Sequence, residues 1–175
     1  CLLFNFFNLY HMSCALTQNY ILDCKEGMGG IKSVRFAEFA NVANVAESAG
    51  VVSAITMVGS NKFWKYDLIR ETSSLTENIN ANVQNGTTFY QQELTIILNK
   101  MAVATRNEIL LLAKNRLMAI VEDTNGTYWL VGMENATDLT AGSAGTGTAS
   151  GDRNGYTLTF TAMEKELAPK VDSSI

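Results

Sequence analysis

Uncharged polar side chains occupy every second position over residues 75–84, and this alternation constrains the chain more than any other feature of its sequence. The polar members of the alternation are all uncharged: Thr76, Asn78, Asn80, Asn82 and Gln84. Successive side chains of a β-strand point to opposite faces, so this spacing predicts a strand with one wholly polar face. Asn85-Gly86 follows directly and is a strong signal for a tight hairpin turn. The sequence therefore predicts a long hairpin over residues 75–98.

The two faces of this hairpin differ in their chemistry. A two-residue turn would place Asn82 opposite Phe89 and Asn78 opposite Glu93. Eight side chains, mostly amides and hydroxyls, then share one face: Thr76, Asn78, Asn80, Asn82, Phe89, Gln91, Glu93 and Thr95. The opposite face is apolar in most positions and is expected to lie on the core, with Ile79, Val83, Tyr90, Leu94 and Ile96.

Shorter runs of β-branched and aromatic residues predict the other strands. These runs lie at residues 31–39, 51–58, 63–70, 117–122, 127–131 and 156–161. The run at 51–58 is apolar enough to predict a buried strand, whereas residues 41–49 are small and polar and predict a loop. A second Asn-Gly pair, Asn125-Gly126, predicts a second hairpin. Together the elements predict a mainly β (α+β) fold, an antiparallel β-sandwich or small barrel.

One helix is predicted near residues 105–115, flanking the strands. Thr105 and Glu108 have the spacing of a capping box, in which the threonine caps the helix and the glutamate reaches back to the cap residue. The helix is then almost wholly apolar over Ile109, Leu110, Leu111 and Leu112. A helix that is apolar on every side needs burial on more than one side. These four residues are therefore predicted to pack on a sheet or against another subunit.

The chain is predicted to form one domain with a terminal segment at each end. Its 175 residues suffice for a core that needs no disulfide or metal. Residues 1–11 carry no Asp, Glu, Lys or Arg and precede Met12, so they are interpreted as a non-native or upstream extension. The alternative is a hydrophobic arm that docks on a neighbour. Residues 12–167 form the domain, with a flexible glycine-rich loop at 140–155, and residues 168–175 are interpreted as a loose tail.

The sequence offers little of the chemistry that enzymes and metal sites need. Its one histidine is His11, and the spacing of Cys14 and Cys24 matches no zinc or redox motif. A phosphate-binding loop requires a following helix, whereas the glycine-rich run from Gly142 precedes a predicted strand. We therefore expect no catalytic, cofactor-binding or metal-binding residues and no enzyme activity.

The charge of the chain limits its partners. The net charge of −4 argues against a protein that wraps a nucleic-acid backbone, because such binding needs clustered lysine and arginine. The acidic pair Glu122-Asp123 is interpreted as solvated charge at a hairpin end. The apolar run at residues 1–11 is too short to span a bilayer and has no basic start, so neither a membrane nor a secretory route is expected.

Several short motifs also occur in a characteristic order along the chain. They are Met12-Ser13-Cys14, Gly29-Gly30-Ile31-Lys32-x-Val34, Phe63-x-Lys65-Tyr66, Val131-Gly132 and Gly151-Asp152-x-Asn154-Gly155-Tyr156-x-Leu158-x-Phe160-Thr161. Together with the long hairpin and the short helix, this order resembles virion proteins of phages that infect Bacteroides-type bacteria. Within that group the chain is most similar to a tail tube protein of a long-tailed phage, from about Met12 to Val171.

Tail tube proteins are β-sandwiches or barrels with a flanking helix, and they form hexameric rings that stack into a hollow tube. The resemblance implies a structural virion protein whose partners are its own copies, other tail proteins and, transiently, DNA. It implies a place in the virion tail after assembly in the host cytoplasm. The eight residues predicted for the mostly polar hairpin face would face the lumen, and residues 109–112 would lie between subunits. Lumens of this family are often acidic, whereas the polar face here has Glu93 as its one charge.

Two other interpretations stay open at this point. The chain could be another virion component, such as a head–tail connector or a minor capsid protein, which the copy number per particle would reveal. It could also be a small-ligand-binding β-barrel of the lipocalin type. Electron microscopy of the purified protein separates a ligand-binding barrel from a virion protein, since the barrel predicts monomers and the virion protein predicts rings or tubes.

Overall fold

The computed structural model describes residues 16, 18–22, 25 and 27–172. Within them the chain forms eleven β-strands and one α-helix. The predictions for residues 1–11, Met12, Cys14 and Cys24 lie outside the described residues. None of the described helices is long and apolar enough to cross a membrane.

The strands form two sheets. The first sheet contains β1 (Ile31–Glu38), β2 (Val42–Ser48), β3 (Val51–Met57), β4 (Trp64–Asp67), β7 (Leu117–Asp123), β8 (Tyr128–Val131) and β11 (Lys170–Val171), in the order β2-β3-β11-β8-β7-β1-β4. The second contains β5 (Ser74–Asn82), β6 (Thr87–Asn99), β9 (Asp138–Gly145) and β10 (Gly155–Glu164), in the order β5-β6-β10-β9. Helix α1 (Val103–Lys114) connects β6 to β7. All strand pairs are antiparallel except β11 with β3.

The main core lies between the two sheets. The rings of Phe36 on β1 and Phe160 on β10 have centroids 4.8 Å apart, and both side chains are fully buried. The cluster around them draws on both sheets and on α1, and includes Val34, Leu94, Ile96, Leu112, Val121 and Leu158. The predicted α+β sandwich is therefore confirmed, and the described strands form two open sheets rather than a closed barrel.

A second, smaller core lies on the other face of the first sheet. Strand β7 contributes to both cores, because Ala119 and Val121 face the sandwich while Met118 and Ile120 point the opposite way. The second cluster also contains Val52, Leu130 and Val171. Burial on both faces explains why β7 reads as a continuous apolar run rather than as an alternating one.

Residues 41–49 were predicted to be a loop, and this is wrong because residues 42–48 form β2. This strand pairs with β3 through a two-residue turn in which Ala49 and Gly50 have φ values of 53° and 79°. Positive φ at both positions is the geometry of a type I′ hairpin, which alanine rarely adopts. The prediction that β3 is buried is also wrong in most positions, since Val52 is its one fully buried side chain.

The glycine-rich loop is shorter than predicted, and residues 168–172, the described part of the predicted loose tail, include strand β11. Residues 138–145 form β9, an edge strand of the second sheet, so only residues 146–154 connect it to β10. In the last segment, β11 inserts between β3 and β8, and Ala168 and Val171 are buried. Both segments contain few large side chains, so their composition does not reveal that they pair with other strands.

Helix α1 confirms the predicted helix but not its predicted start. The helix begins at Val103, with Ala102 as the cap residue and no side-chain cap bond. Thr105 therefore lies inside the first turn, and the capping-box prediction is wrong.

Candidate functional site

The long hairpin exists, but its turn has four residues rather than two. Asn82 pairs with Thr87, Asn78 with Gln91 and Thr76 with Glu93, which is a shift of two positions from the predicted register. The Oδ1 atom of Asn82 accepts a bond of 3.0 Å from the backbone N–H of Asn85 and so closes the wider turn. Side-chain direction repeats every two residues, so a shift of two leaves each residue on its predicted face.

All eight residues predicted for one face lie on the outward side of the second sheet. Thr76, Asn78, Asn82 and Phe89 are exposed, and Asn80, Gln91, Glu93 and Thr95 are half-buried. The opposite side of the same strands carries Leu94 and Ile96, which are fully buried in the main core.

Strand β10 extends this outward face with three threonines that lie outside the hairpin. Thr159 lies opposite Thr95, with their hydroxyl oxygens 3.3 Å apart, and Thr161 lies opposite Glu93. Thr140 of β9 continues the row, since its hydroxyl lies 2.8 Å from that of Thr161. In the sequence, the alternation of Thr157, Thr159 and Thr161 indicates that these threonines share one face of a strand. We call this outward surface the polar face: Thr76, Asn78, Asn80, Gln91, Glu93, Thr95, Thr140, Thr157, Thr159 and Thr161.

The polar face carries almost no charge. None of the four strand segments of this sheet contains lysine or arginine. Glu93 is the carboxylate within the face, and Asp138 lies at its edge on β9, opposite Thr161. At the other end Arg153 donates a bond of 2.9 Å to the hydroxyl of Thr157. The surface therefore offers water many hydroxyl and amide partners and offers an anion few cations.

The end of the hairpin projects beyond the rest of the sheet. The last pair between β10 and β6 joins Glu164 to Tyr90, so residues 79–89, which we call the hairpin tip, form a two-stranded ribbon with its turn. Ile79 is 62 % exposed and Val83 is 95 % exposed. The prediction that these two side chains lie on the core is wrong, because in the part of the chain that the structure describes no second layer reaches this far along the strands.

Helix α1 buries only one side of its apolar stretch. Leu112 lies in the main core and Ile109 packs against it. Leu110 and Leu111 point away and are 43 % and 54 % exposed. The four residues predicted to lie between subunits thus divide into two that the chain itself covers and two that it leaves uncovered.

Two grooves run along the sides of α1. One has a volume of about 520 Å³ and lies between the helix, the end of β6 and the segment after β4, and we call it the terminal groove: Ile69, Ile97, Leu98, Ala104, Thr105 and Ile109 line it. The other, of about 320 Å³, is lined by Trp64, Leu111 and Leu112 among others. Between them the hydroxyl of Tyr66 donates a bond of 3.0 Å to Glu108. Partial burial, and then this bond, raise the pKa of Tyr66.

A buried polar cluster lies at one end of β7. Glu122 was predicted to be a solvated charge, and this is wrong, because its carboxylate is buried and accepts bonds from Ser33 Oγ at 2.6 Å and Lys32 Nζ at 2.8 Å. These bonds, led by the one from Lys32, lower the pKa of Glu122. Ser33 is fully buried, so the cluster fixes the pairing of β1 with β7 and presents no accessible nucleophile.

Two further motifs concern phosphate binding and metal binding. Gly142 and Gly145 lie in the edge strand β9, and no helix begins after them in the described chain up to residue 172. Within the part of the chain that the structure describes, no group of three or more histidine, cysteine or acidic side chains is placed to hold a metal ion.

Comparison with known proteins gives no match: no family model, no curated protein and no solved structure aligns significantly with this chain.

Proposed function

We propose that this protein is a structural virion subunit that assembles into stacked rings and forms the tail tube of a long-tailed phage. The observation that carries the proposal is the second sheet, which has a nearly uncharged polar face on one side and the main core on the other. A wall between a water-filled channel and a protein shell needs this combination. The similarity of motifs described above points to the same assembly.

The edges of the second sheet provide a means of joining subunits. Strands β5 and β9 form these edges. Edge strands present unpaired backbone donors and acceptors, which other strands readily join. If β5 of one copy pairs with β9 of the next, the four-stranded sheets merge into a continuous barrel whose inside is the polar face.

The number of strands sets the width of such a barrel. Six copies supply 24 strands, and at about 4.8 Å between strands the wall would measure about 115 Å around and about 37 Å across. Short side chains such as threonine and asparagine line the inside, which leaves room for a DNA duplex.

The chemistry of the polar face suits the passage of DNA. Lysine and arginine that contact phosphates release counterions and so bind DNA strongly at low salt. The four strands of this sheet contain neither residue. Hydroxyl and amide groups hydrate well, so the wall would let DNA slide without holding it.

Helix α1 supports the same assembly from outside the channel. Its uncovered Leu110 and Leu111 would be covered by a neighbouring subunit, which would remove exposed apolar surface from water.

Negative-stain electron microscopy of the purified protein tests the proposal. Rings with a central hole, or tubes built from them, are expected at high protein concentration without added metal or cofactor. Rings that never stack would favour a head–tail connector. A protein that stays monomeric at high concentration would overturn the proposal.

A further inference from the structure

We propose that the hairpin tip of one copy docks in the terminal groove of the next copy, so that subunits join head to tail along the direction of β6. The inference deepens the proposed function, since it assigns the surfaces by which one ring would contact the next. It rests on that function only for the direction of growth.

The hairpin tip has the properties of a surface that another molecule covers. Every residue from 81 to 89 is exposed, and Ile79, Val83 and Phe89 are apolar. The sequence from residue 78 to residue 92 contains no charged side chain. Natural edge strands are usually protected by charges, and a two-stranded ribbon alone is at best marginally stable in water. An uncharged projecting ribbon therefore indicates a partner.

The terminal groove offers a matching surface. Its lining is apolar along Ile69, Ile97 and Ile109, and Ile69 is 44 % exposed. Two carboxylates also border it: Asp67, which is ion-paired with Lys65 at 2.8 Å, and Glu108, which accepts the bond from Tyr66. Apolar side chains of the tip would fill the groove, and the uncharged amides of Gln84 and Asn85 would add hydrogen bonds to the remaining acceptor positions of these carboxylates without adding a charge.

The positions of the two surfaces mean that a hairpin tip seated in this groove belongs to a second copy. Strand β6 starts at the tip and has thirteen residues, so it places Thr87 about 40 Å from Asn99, which lines the groove. The tip cannot reach the groove of its own chain. A contact between two different patches repeats from copy to copy and gives an open-ended assembly when the rotation does not close.

Cysteine cross-linking tests the contact directly. In a background with Cys1→Ser, Cys14→Ser and Cys24→Ser, the double variant Val83→Cys, Ile69→Cys is treated with a short bismaleimide and run on a denaturing gel. The expected result is a ladder of covalent dimers, trimers and larger species. Each single variant lacks one partner thiol, so neither should give the ladder.

Three outcomes of this experiment would overturn the inference. Dimers from Val83→Cys alone would mean that two tips meet each other. A double variant that forms no more cross-links than the single variants would mean that the groove has another occupant or none. The third outcome uses a control in which Val83→Cys is paired with Val58→Cys, because Val58 lies outside the groove and is about as exposed as Ile69. A ladder from this control equal to that from the double variant would mean that the contact is not specific.

A charged substitution separates this inference from the proposed function. Val83→Asp should leave the subunit folded and its rings intact, because the side chain is 95 % exposed, but it should abolish stacking of rings. Val58→Asp, at an exposed apolar position outside both surfaces, is the control and should form rings and stack normally. Stacked tubes from Val83→Asp would overturn the inference and leave the proposed function standing. A cross-linking ladder from protein that forms no rings would overturn the proposed function and leave the inference standing.

Discussion

Asn78 tests the chemistry of the polar face at a single position. Its side chain is exposed on β5, opposite Gln91. Exposed substitutions of this kind change stability by less than about 0.5 kcal/mol, so Asn78→Lys should fold normally. In a ring, the variant would add one cation per subunit to the channel wall.

We predict that Asn78→Lys particles assemble and then release DNA more slowly than wild type, with a larger delay at low salt because salt screens the attraction. The measurement is the rate of genome ejection at two ionic strengths. Asn44→Lys, on an exposed position of β2 in the other sheet, is the control and should eject normally. Equal rates for both variants would place the polar face outside the channel.

Glu122 shows how one buried carboxylate links stability to pH. Its pKa is lowered by the bonds from Lys32 and Ser33, so the folded state holds the charged form more strongly than the unfolded chain does. Between the two pKa values the unfolded chain binds more protons. The stabilisation is therefore complete above the ordinary value of 4.5 and is lost as the pH falls below it.

We predict that Glu122→Gln lowers the free energy of unfolding at pH 7 by about 1–3 kcal/mol, since Ser33 and Lys32 lose a charged acceptor. The difference from wild type should shrink as the pH falls from 5 to 3. Urea titrations at each pH measure it. A difference that stays constant with pH would contradict the role given to this carboxylate.

At the scale of elements, α1 has one side buried in its own chain and one side exposed. Leu112 is buried in the main core, whereas Leu111 beside it is half in solvent. Replacing a buried leucine by alanine removes contacts and leaves a cavity. Replacing an exposed leucine changes little within the subunit but removes apolar surface that a neighbour would cover.

We predict that Leu112→Ala lowers the stability of the subunit by about 2–5 kcal/mol. Leu111→Ala should change the stability of the monomer much less and should weaken assembly into rings. Denaturation followed by circular dichroism measures the first effect, and analytical ultracentrifugation measures the second. Normal assembly of Leu111→Ala would remove the exposed helix face from the subunit interface.

At the scale of the whole molecule, β11 joins segments that are distant in sequence. It pairs in parallel with β3 and antiparallel with β8, and Val171 fills the second core with Val52 and Leu130. The backbone N–H of Lys170 donates a bond of 2.9 Å to the carbonyl of Gly50. The end of the described chain therefore closes the gap between the β2–β3 hairpin and the rest of the first sheet.

We predict that Val171→Ala lowers the free energy of unfolding by about 2 kcal/mol, because it opens a cavity in the small second core. Lys170→Ala keeps the backbone pairing and removes only an exposed side chain, so its effect should stay below about 0.5 kcal/mol. Thermal unfolding of both variants compares them. Similar effects from the two would show that β11 acts through its backbone alone.

The sequence by itself determined the fold class, the long hairpin, the face of each hairpin residue and the presence of one helix. These features follow from local spacing, since the direction of a side chain depends on its position within a strand and a register error of two residues does not alter it. The eight alternating residues between Thr76 and Thr95 that were predicted for one face therefore lie on one face, although the predicted turn was wrong.

Only the tertiary structure decided which of these surfaces are covered. Strands β2, β9 and β11 are rich in small side chains or very short, and they form because neighbouring strands supply their backbone partners. Likewise Ile79 and Val83 read as core residues, and Leu110 and Leu111 as residues that need burial on a sheet or a neighbouring subunit. Apolarity shows that a side chain favours burial but not whether its own chain supplies the cover. Their exposure depends on how far the sheets and the helix extend, which is a property of packing between distant segments.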